Sequence, residues 1–118
     1  MTIILEKYSV PEKGQLNLAV NISAEIKVSA AEARRKVNGY VISHVSNLML
    51  GDPTVELVIR DRVYWRVVVN HTLPGFGSIG KVGAIEVDVE TGEIKELSPE
   101  QSEEMIRQAK ALATRRAN

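Results

Sequence analysis

The stretch from Val63 to Ile94 constrains the fold of this chain more than any other part of the sequence. It opens with a predicted strand over residues 63–69, which holds the only tryptophan, and continues into a glycine-rich loop predicted over residues 71–82. A second strand is predicted over 84–89, and the tetrapeptide Glu-Thr-Gly-Glu after it predicts a tight turn with its glycine at positive φ. The alternation of Val55, Leu57 and Ile59 predicts another strand before these two, joined by the tight connection at Asp61-Arg62, and such hairpin-length links predict an antiparallel sheet.

The longest period-two pattern lies nearer the N-terminus. Every second residue is apolar in this region: Leu16, Leu18, Val20, Ile22, Ala24, Ile26 and Val28. Alternation with mostly polar residues predicts a strand with one buried face and one solvated face. A fully extended run of this length would be unusual, so a bulge or a bend is expected in it. With a short strand around Ile4 and turn chemistry at 11–14, the pattern predicts an N-terminal hairpin over 2–28.

Two predicted helices begin with capping boxes, one at Ser29 and the other at Ser98. In each box a Glu or Gln follows the serine by three residues, which satisfies two backbone N–H groups at the start of the helix. The helices are predicted over about 30–49 and 98–116. Gly39 leaves three alternatives open for the first of them: a continuous helix, a kinked helix, or a hairpin turn in its place.

These elements predict an α+β domain of 118 residues with the order β-β-α-β-β-β-α. We expect an antiparallel sheet of four to five strands with both helices packed on one face. The single domain spans 1–118 and consists of the N-terminal hairpin 2–28, a core over 29–95 and a C-terminal helix over 98–116. Because 44% of the residues are apolar, a chain of this length can bury one core.

Three motifs of the core resemble a PepSY-type domain, a cystatin-like α+β module. They are the capping box Ser29-Ala-Ala-Glu32, the strand Tyr64-Trp-Arg-Val-Val-Val69 and the terminal strand and turn Ile85-Glu-Val-Asp-Val-Glu-Thr-Gly-Glu-Ile94. The resemblance covers about 26–95, so the N-terminal hairpin and the C-terminal helix are additions to it. It implies a cystatin-like fold and a role in regulating or inhibiting peptidases, and it supplies no catalytic residues.

The composition argues against several classes of function. Fifteen basic residues balance fifteen acidic ones, whereas a nucleic-acid-binding protein normally carries a net basic face. The chain has no cysteine, which excludes thiolate chemistry, and only two isolated histidines, His44 and His71. No apolar run approaches a signal peptide or the roughly 20 residues of a membrane helix. We therefore expect a cytoplasmic protein with no cofactor, no metal, no nucleic-acid partner and no membrane partner.

The segment Gly75-Phe-Gly-Ser-Ile-Gly-Lys81 matches two phosphate-binding patterns, Gly-x-Gly-x-x-Gly and Gly-x₄-Gly-Lys. Such loops hold phosphate with backbone N–H groups at the start of a helix. Here a strand is predicted after Lys81, and Val82 stands where a phosphate loop has the hydroxyl that binds Mg²⁺. We therefore expect a connecting loop that binds no nucleotide.

The sequence favours a non-catalytic protein-interaction or inhibitory module whose protein partner it does not identify, with a homodimer or other homo-oligomer through a sheet edge or the terminal helix as one form. The hypothesised contact residues lie on the predicted loop and on one strand face: Phe76, Ile79, Lys81, Tyr64 and Arg66. Whether Phe76 contacts a partner or plugs the core stays open. The alternative is a small-ligand carrier that uses the concave sheet face closed by the 71–82 loop, and an enzyme is the least favoured class.

Overall fold

The computed structural model describes residues 1–117, which form four strands and two helices. The elements in chain order are β1 (Ile3–Leu5), α1 (Ala30–His44), β2 (Met49–Ile59), β3 (Val63–Leu73), β4 (Gly77–Asp88) and α2 (Pro99–Ala117). The α+β class is confirmed. The order β-α-β-β-β-α lacks the second N-terminal strand of the prediction.

The strands form one mixed sheet in the order β1-β2-β3-β4. β2, β3 and β4 make the expected antiparallel meander, with Leu57 opposite Trp65 and Trp65 opposite Val87. β1 instead runs parallel to β2, with Ile4 opposite Val58. The prediction of a fully antiparallel sheet is therefore wrong at this edge. The chain passes from β1 through α1 before it enters β2, and this crossover lets the two strands run in the same direction.

The predicted N-terminal hairpin over 2–28 does not form. Only Ile3–Leu5 is strand in this region, and residues 9–27 are exposed and belong to no helix or strand. The Cα radius of gyration, 16.4 Å, exceeds the roughly 13–14 Å typical of a compact domain of this length. Period-two alternation gives a strand only where a partner strand is available, and residues 9–27 pair with no strand.

Helix α1 begins at the predicted capping box and ends five residues before the predicted end at 49. The Glu32 backbone N–H donates to Ser29 Oγ at 3.1 Å, and Ser29 Oγ donates to the Glu32 carboxylate at 3.2 Å. The helix continues through Gly39 and stops at His44. Met49, predicted as the last residue of the helix, is instead the first residue of β2, where its side chain is buried.

The core lies between the helices and one face of the sheet. Its buried members include Ala33, Val37 and Val41 of α1, Met105 and Ala109 of α2, and Trp65, Val67 and Val69 of β3. Trp65 is 4% exposed, and its Nε1–H donates to the Val28 carbonyl oxygen at 2.7 Å. The predicted burial of Trp65 is thus confirmed, and the bond also fixes the chain just before α1.

The predicted 71–82 loop is wrong, because most of it is paired strand. β3 continues to Leu73 and β4 begins at Gly77, so only residues 74–76 turn the chain. The glycines that suggested a loop fit a bulged strand instead. Register shifts in the β3–β4 pairing leave Ile79 unmatched, and the adjacent Gly80 has φ +150°.

The turn after β4 has the predicted geometry, since Gly92 has φ +76° and its N–H donates to the Asp88 carbonyl oxygen at 2.9 Å. The Asp88 carboxylate accepts from the N–H groups of Glu90 and Thr91, and Arg62 Nε donates to it at 2.6 Å. The hydrogen bond from Arg62 is the main reason that the pKa of Asp88 is lowered to about 2.

Replacing Gly92 by Val is expected to lower the free energy of unfolding by about 1–3 kcal/mol, because a β-branched residue is strained at this φ. Its Cβ would also lie 3.1 Å from Val28 Cγ2 and 3.0 Å from Lys36 Nζ, which donates to the Gly92 carbonyl oxygen. Urea unfolding followed by circular dichroism measures the change. An unchanged midpoint for Gly92→Val would contradict the role assigned to this turn.

Candidate functional site

Residues 15–26, which we call the period-two segment, carry a run of exposed apolar side chains. The larger of these side chains are between 38% and 54% exposed. The segment is tied to the domain at its C-terminal end, where the N–H groups of Lys27 and Val28 both donate to the Val89 carbonyl oxygen. A pattern typical of a half-buried strand thus lies on the surface without a partner strand.

The second feature is the outer edge of β4 over residues 77–85, which we call the free β4 edge. β4 ends the sheet, and within residues 1–117 no strand lies beyond this part of it. The segment after the turn at Gly92 protects only the end of β4, where Lys95 N–H donates to the Glu86 carbonyl oxygen and Val87 forms a bridge with Ile94. An edge of this kind presents unpaired backbone groups to an added strand.

The opposite side of the sheet is less open to strand addition. β1 covers part of β2, and the rest of β2 carries Asp52 and Pro53 in an irregular stretch of the pairing. Proline has no N–H to donate, and the Asp52 carboxylate accepts from the Thr54 N–H and the Asn70 side chain. Of the two sides, the free β4 edge is therefore the better acceptor for a strand.

Three of the predicted contact residues lie along the β3–β4 hairpin. Phe76 is 63% exposed at the tip, and the Arg116 guanidinium of α2 lies over its ring at 4.7 Å. Ile79 is half-buried near Leu112 of α2, and Lys81 is exposed on β4. Phe76 is thus not a core plug, and the tip forms an apolar surface with a basic rim beside the free β4 edge.

The other two predicted residues, Tyr64 and Arg66, lie on the sheet face away from the helices. Tyr64 is only 3% exposed, because the Arg60 guanidinium and Lys95 Nζ lie over its ring at 4.7 and 4.4 Å. Its hydroxyl donates to the Asp61 carboxylate. The structure therefore does not bring Tyr64 together with the hairpin tip and leaves little of its ring for a partner.

Arg66 belongs to a network of four charges that covers this face. Arg60 contacts Glu6 and Glu86 at 2.8 Å each, and Arg66 contacts the same two carboxylates at 2.9 Å each. Hydrogen bonds from Arg66 and then Arg60 lower the pKa of Glu6, while burial raises that of Glu86 but is outweighed by the same two arginines. Because Glu6 follows β1, the network also holds the N-terminus against the sheet. Nothing in the local sequence signals this clustering.

The described residues 1–117 include no group of three His, Asp or Glu side chains arranged to hold a metal ion. His44 is exposed and stacks on Tyr40, while His71 is buried on β3. Within the same range, neither helix is long and apolar enough to cross a membrane.

Comparisons with protein-family models, with curated proteins and with solved structures each returned no match. The PepSY-like resemblance therefore stays a prediction, and so do the absence of nucleotide binding and of catalysis.

Proposed function

We propose that this chain is a non-catalytic protein-interaction module that associates by strand addition, and that its partner is a second copy of itself. The period-two segment of one copy pairs with the free β4 edge of the other, and the exchange is reciprocal. The observation that carries the proposal is the exposure of the apolar side chains of residues 15–26 in a pattern that fits a strand.

Hydrogen bonding supports this pairing. The period-two segment has no strand partner, and the free β4 edge lacks a neighbour on its outer side. The segment is at least as long as the edge. Strand addition would satisfy the backbone groups of both and would remove the aggregation hazard that an open edge presents.

Apolar burial supports the same pairing. Beside the free β4 edge lie three incompletely buried apolar side chains, Phe76, Ile79 and Leu112. One face of an added strand would contact them, and every apolar position of the period-two segment except Ala19 would lie on one face. Each apolar side chain moved out of water contributes about 25 cal/mol per Å². A symmetric exchange contributes this area twice.

The test is the mass of the protein in solution, measured by size-exclusion chromatography with light scattering over a wide concentration range. We expect the wild type to form a dimer and Leu18→Lys/Ile22→Lys to be monomeric, because charge on the buried face of an added strand is costly. Both side chains are exposed in the single copy, so the variant should keep the wild-type urea midpoint.

The matched control places the same two charges on the other face of the same segment. Asn17→Lys/Asn21→Lys should remain dimeric, because alternate residues of a strand point to opposite faces. Hydrogen exchange adds a local readout, in which the amides of residues 77–85 become protected as the concentration rises. A wild type that stays monomeric throughout, or equal loss of the dimer in both variants, would show that the proposal is wrong.

A substitution at Phe76 distinguishes this specific interface from non-specific apolar association. Phe76→Ala should weaken the dimer while changing the free energy of unfolding of the single copy by no more than about 0.5 kcal/mol.

The alternative carrier function needs a different site from the one expected, because the helices pack on one sheet face and the charge network occupies part of the other. One cleft on the helix side offers such a site.

A further inference from the structure

A small apolar cleft lies between the C-terminal end of α1 and the middle of α2, and it is separate from the proposed interface. Its volume is about 260 Å³. Its walls are Val45, Ser46, Met49, His71, Ile106, Ala109, Lys110 and Ala113. Two wider depressions elsewhere are lined largely by exposed charged and polar side chains, whereas aliphatic groups form most of this one. Apolar walls with a few polar groups are typical of small-ligand sites.

His71 is the unusual member of this lining. It is 7% exposed, and its Nδ1 is the one buried side-chain nitrogen or oxygen in residues 1–117 that has no hydrogen-bond partner. Buried polar groups are almost always paired, because leaving one unpaired costs free energy. The imidazole of His71 is therefore a buried polar group in a wall that is otherwise largely aliphatic.

The polar groups around the cleft favour an anion. Lys110 is exposed at its rim, and no carboxylate belongs to the lining. Ser46 Oγ accepts a hydrogen bond from the Leu48 N–H at 3.1 Å, which leaves its hydroxyl proton free to donate. An imidazole, an ammonium group and a hydroxyl together suit a carboxylate, which accepts several hydrogen bonds and carries a negative charge.

We propose that this cleft binds a small monocarboxylic acid with an aliphatic tail. The tail packs on Met49, Ile106 and Ala109, and the carboxylate interacts with His71 and Lys110. Because the cleft is smaller than typical sites for drug-sized ligands, the tail has about four to six carbon atoms. The inference does not depend on strand addition, since none of its residues lies in the period-two segment or the free β4 edge.

The probe is sodium hexanoate, added to the isotope-labelled full chain and followed by two-dimensional amide NMR. We expect saturable shift changes centred on the cleft, with a dissociation constant in the millimolar range given the few atoms of the ligand. Hexan-1-ol, which has the same tail and no charge, should bind at least about tenfold more weakly. Equal affinity for the alcohol would overturn the carboxylate assignment, and the absence of cleft shifts would overturn the site.

Two variants test the named residues. His71→Leu should weaken hexanoate at least about tenfold while keeping or raising the urea midpoint, since it removes an unpaired buried nitrogen. Lys110→Gln, at an exposed position, should weaken hexanoate several-fold and leave hexan-1-ol unchanged. The matched control is Lys13→Gln, an exposed lysine outside both the cleft and the proposed interface, which should bind as the wild type does. Wild-type affinity in both cleft variants would show that the proposal is wrong.

Discussion

Trp65→Ala is expected to lower the free energy of unfolding by about 3–5 kcal/mol, the largest effect of any single substitution considered for this chain. Trp65 is 4% exposed in the centre of the three-stranded meander, between Leu57 and Val87. The substitution removes the largest apolar side chain of a core built mainly from valine and alanine. It also removes the donor to the Val28 carbonyl oxygen, which lies at 2.7 Å.

Circular dichroism in urea is the appropriate measurement, because the variant lacks the only tryptophan and its fluorescence. Trp65→Phe is the matched control: it keeps an aromatic ring but loses the bond to Val28, so a smaller loss is expected. Since whole domains are stable by only about 5–15 kcal/mol, Trp65→Ala should leave a marginal fold. A loss below about 1 kcal/mol would contradict the central position of Trp65.

Gly51→Val is expected to lower the free energy of unfolding by about 3 kcal/mol or more, through overpacking and broken hydrogen bonds. A Cβ at Gly51 would lie 2.8 Å from Val67 Cγ1 and 3.0 Å from Asn38 Oδ1. Asn38 Oδ1 accepts from the Gly51 N–H at 2.6 Å, and Arg34 Nε donates to the Gly51 carbonyl oxygen at 3.0 Å. Any added side chain therefore separates α1 from β2.

Gly39→Val is the matched control for this substitution. Gly39 is exposed on α1, and a Cβ there would meet no atom within 4 Å. Valine and glycine are both poor helix formers, so the change in the free energy of unfolding should stay within about 0.5 kcal/mol. If both variants unfolded at the same urea midpoint, the close contact at Gly51 would not hold the helix on the sheet.

The two sheet faces and the one open edge explain why the proposed function involves contact between chains. The helices cover one face, and the network of Glu6, Arg60, Arg66 and Glu86 lies on the other. The period-two segment pairs with no strand of its own chain. In the proposed dimer, association would complete the burial that the single copy leaves unfinished.

Local patterns determined most of the helix and strand positions. The capping boxes at Ser29 and Ser98 start their helices, and Gly92 turns the chain at positive φ, because these signals depend only on neighbouring backbone groups. The burial of Trp65 was also predictable, since it shares a strand face with three valines. For the caps and the turn, the energy that decides the conformation comes from residues close in sequence, whereas for Trp65 the alternating pattern reports only which face of the strand is buried.

The candidate site was predictable only in part. Phe76 and Ile79 could be recognised as apolar residues among glycines, but their position on a bulged hairpin could not. The pairing of Arg60 and Arg66 with Glu6 joins residues far apart in sequence, and no short-range pattern reports it. The same holds for the cleft, which forms where His71 of β3 meets the facing sides of two helices.

By itself the sequence determined the α+β class, the starts of both helices, the three-stranded meander and the turn at Gly92. Only the tertiary structure decided that β1 runs parallel to β2 and that the period-two segment stays exposed. It also decided that Gly77, Gly80 and Gly83 belong to strand β4 and not to a loop. The physical reason is the range of the interactions. Capping and turn formation depend on adjacent residues, whereas a strand becomes a strand only when a partner edge is available, and that availability depends on how the whole chain packs.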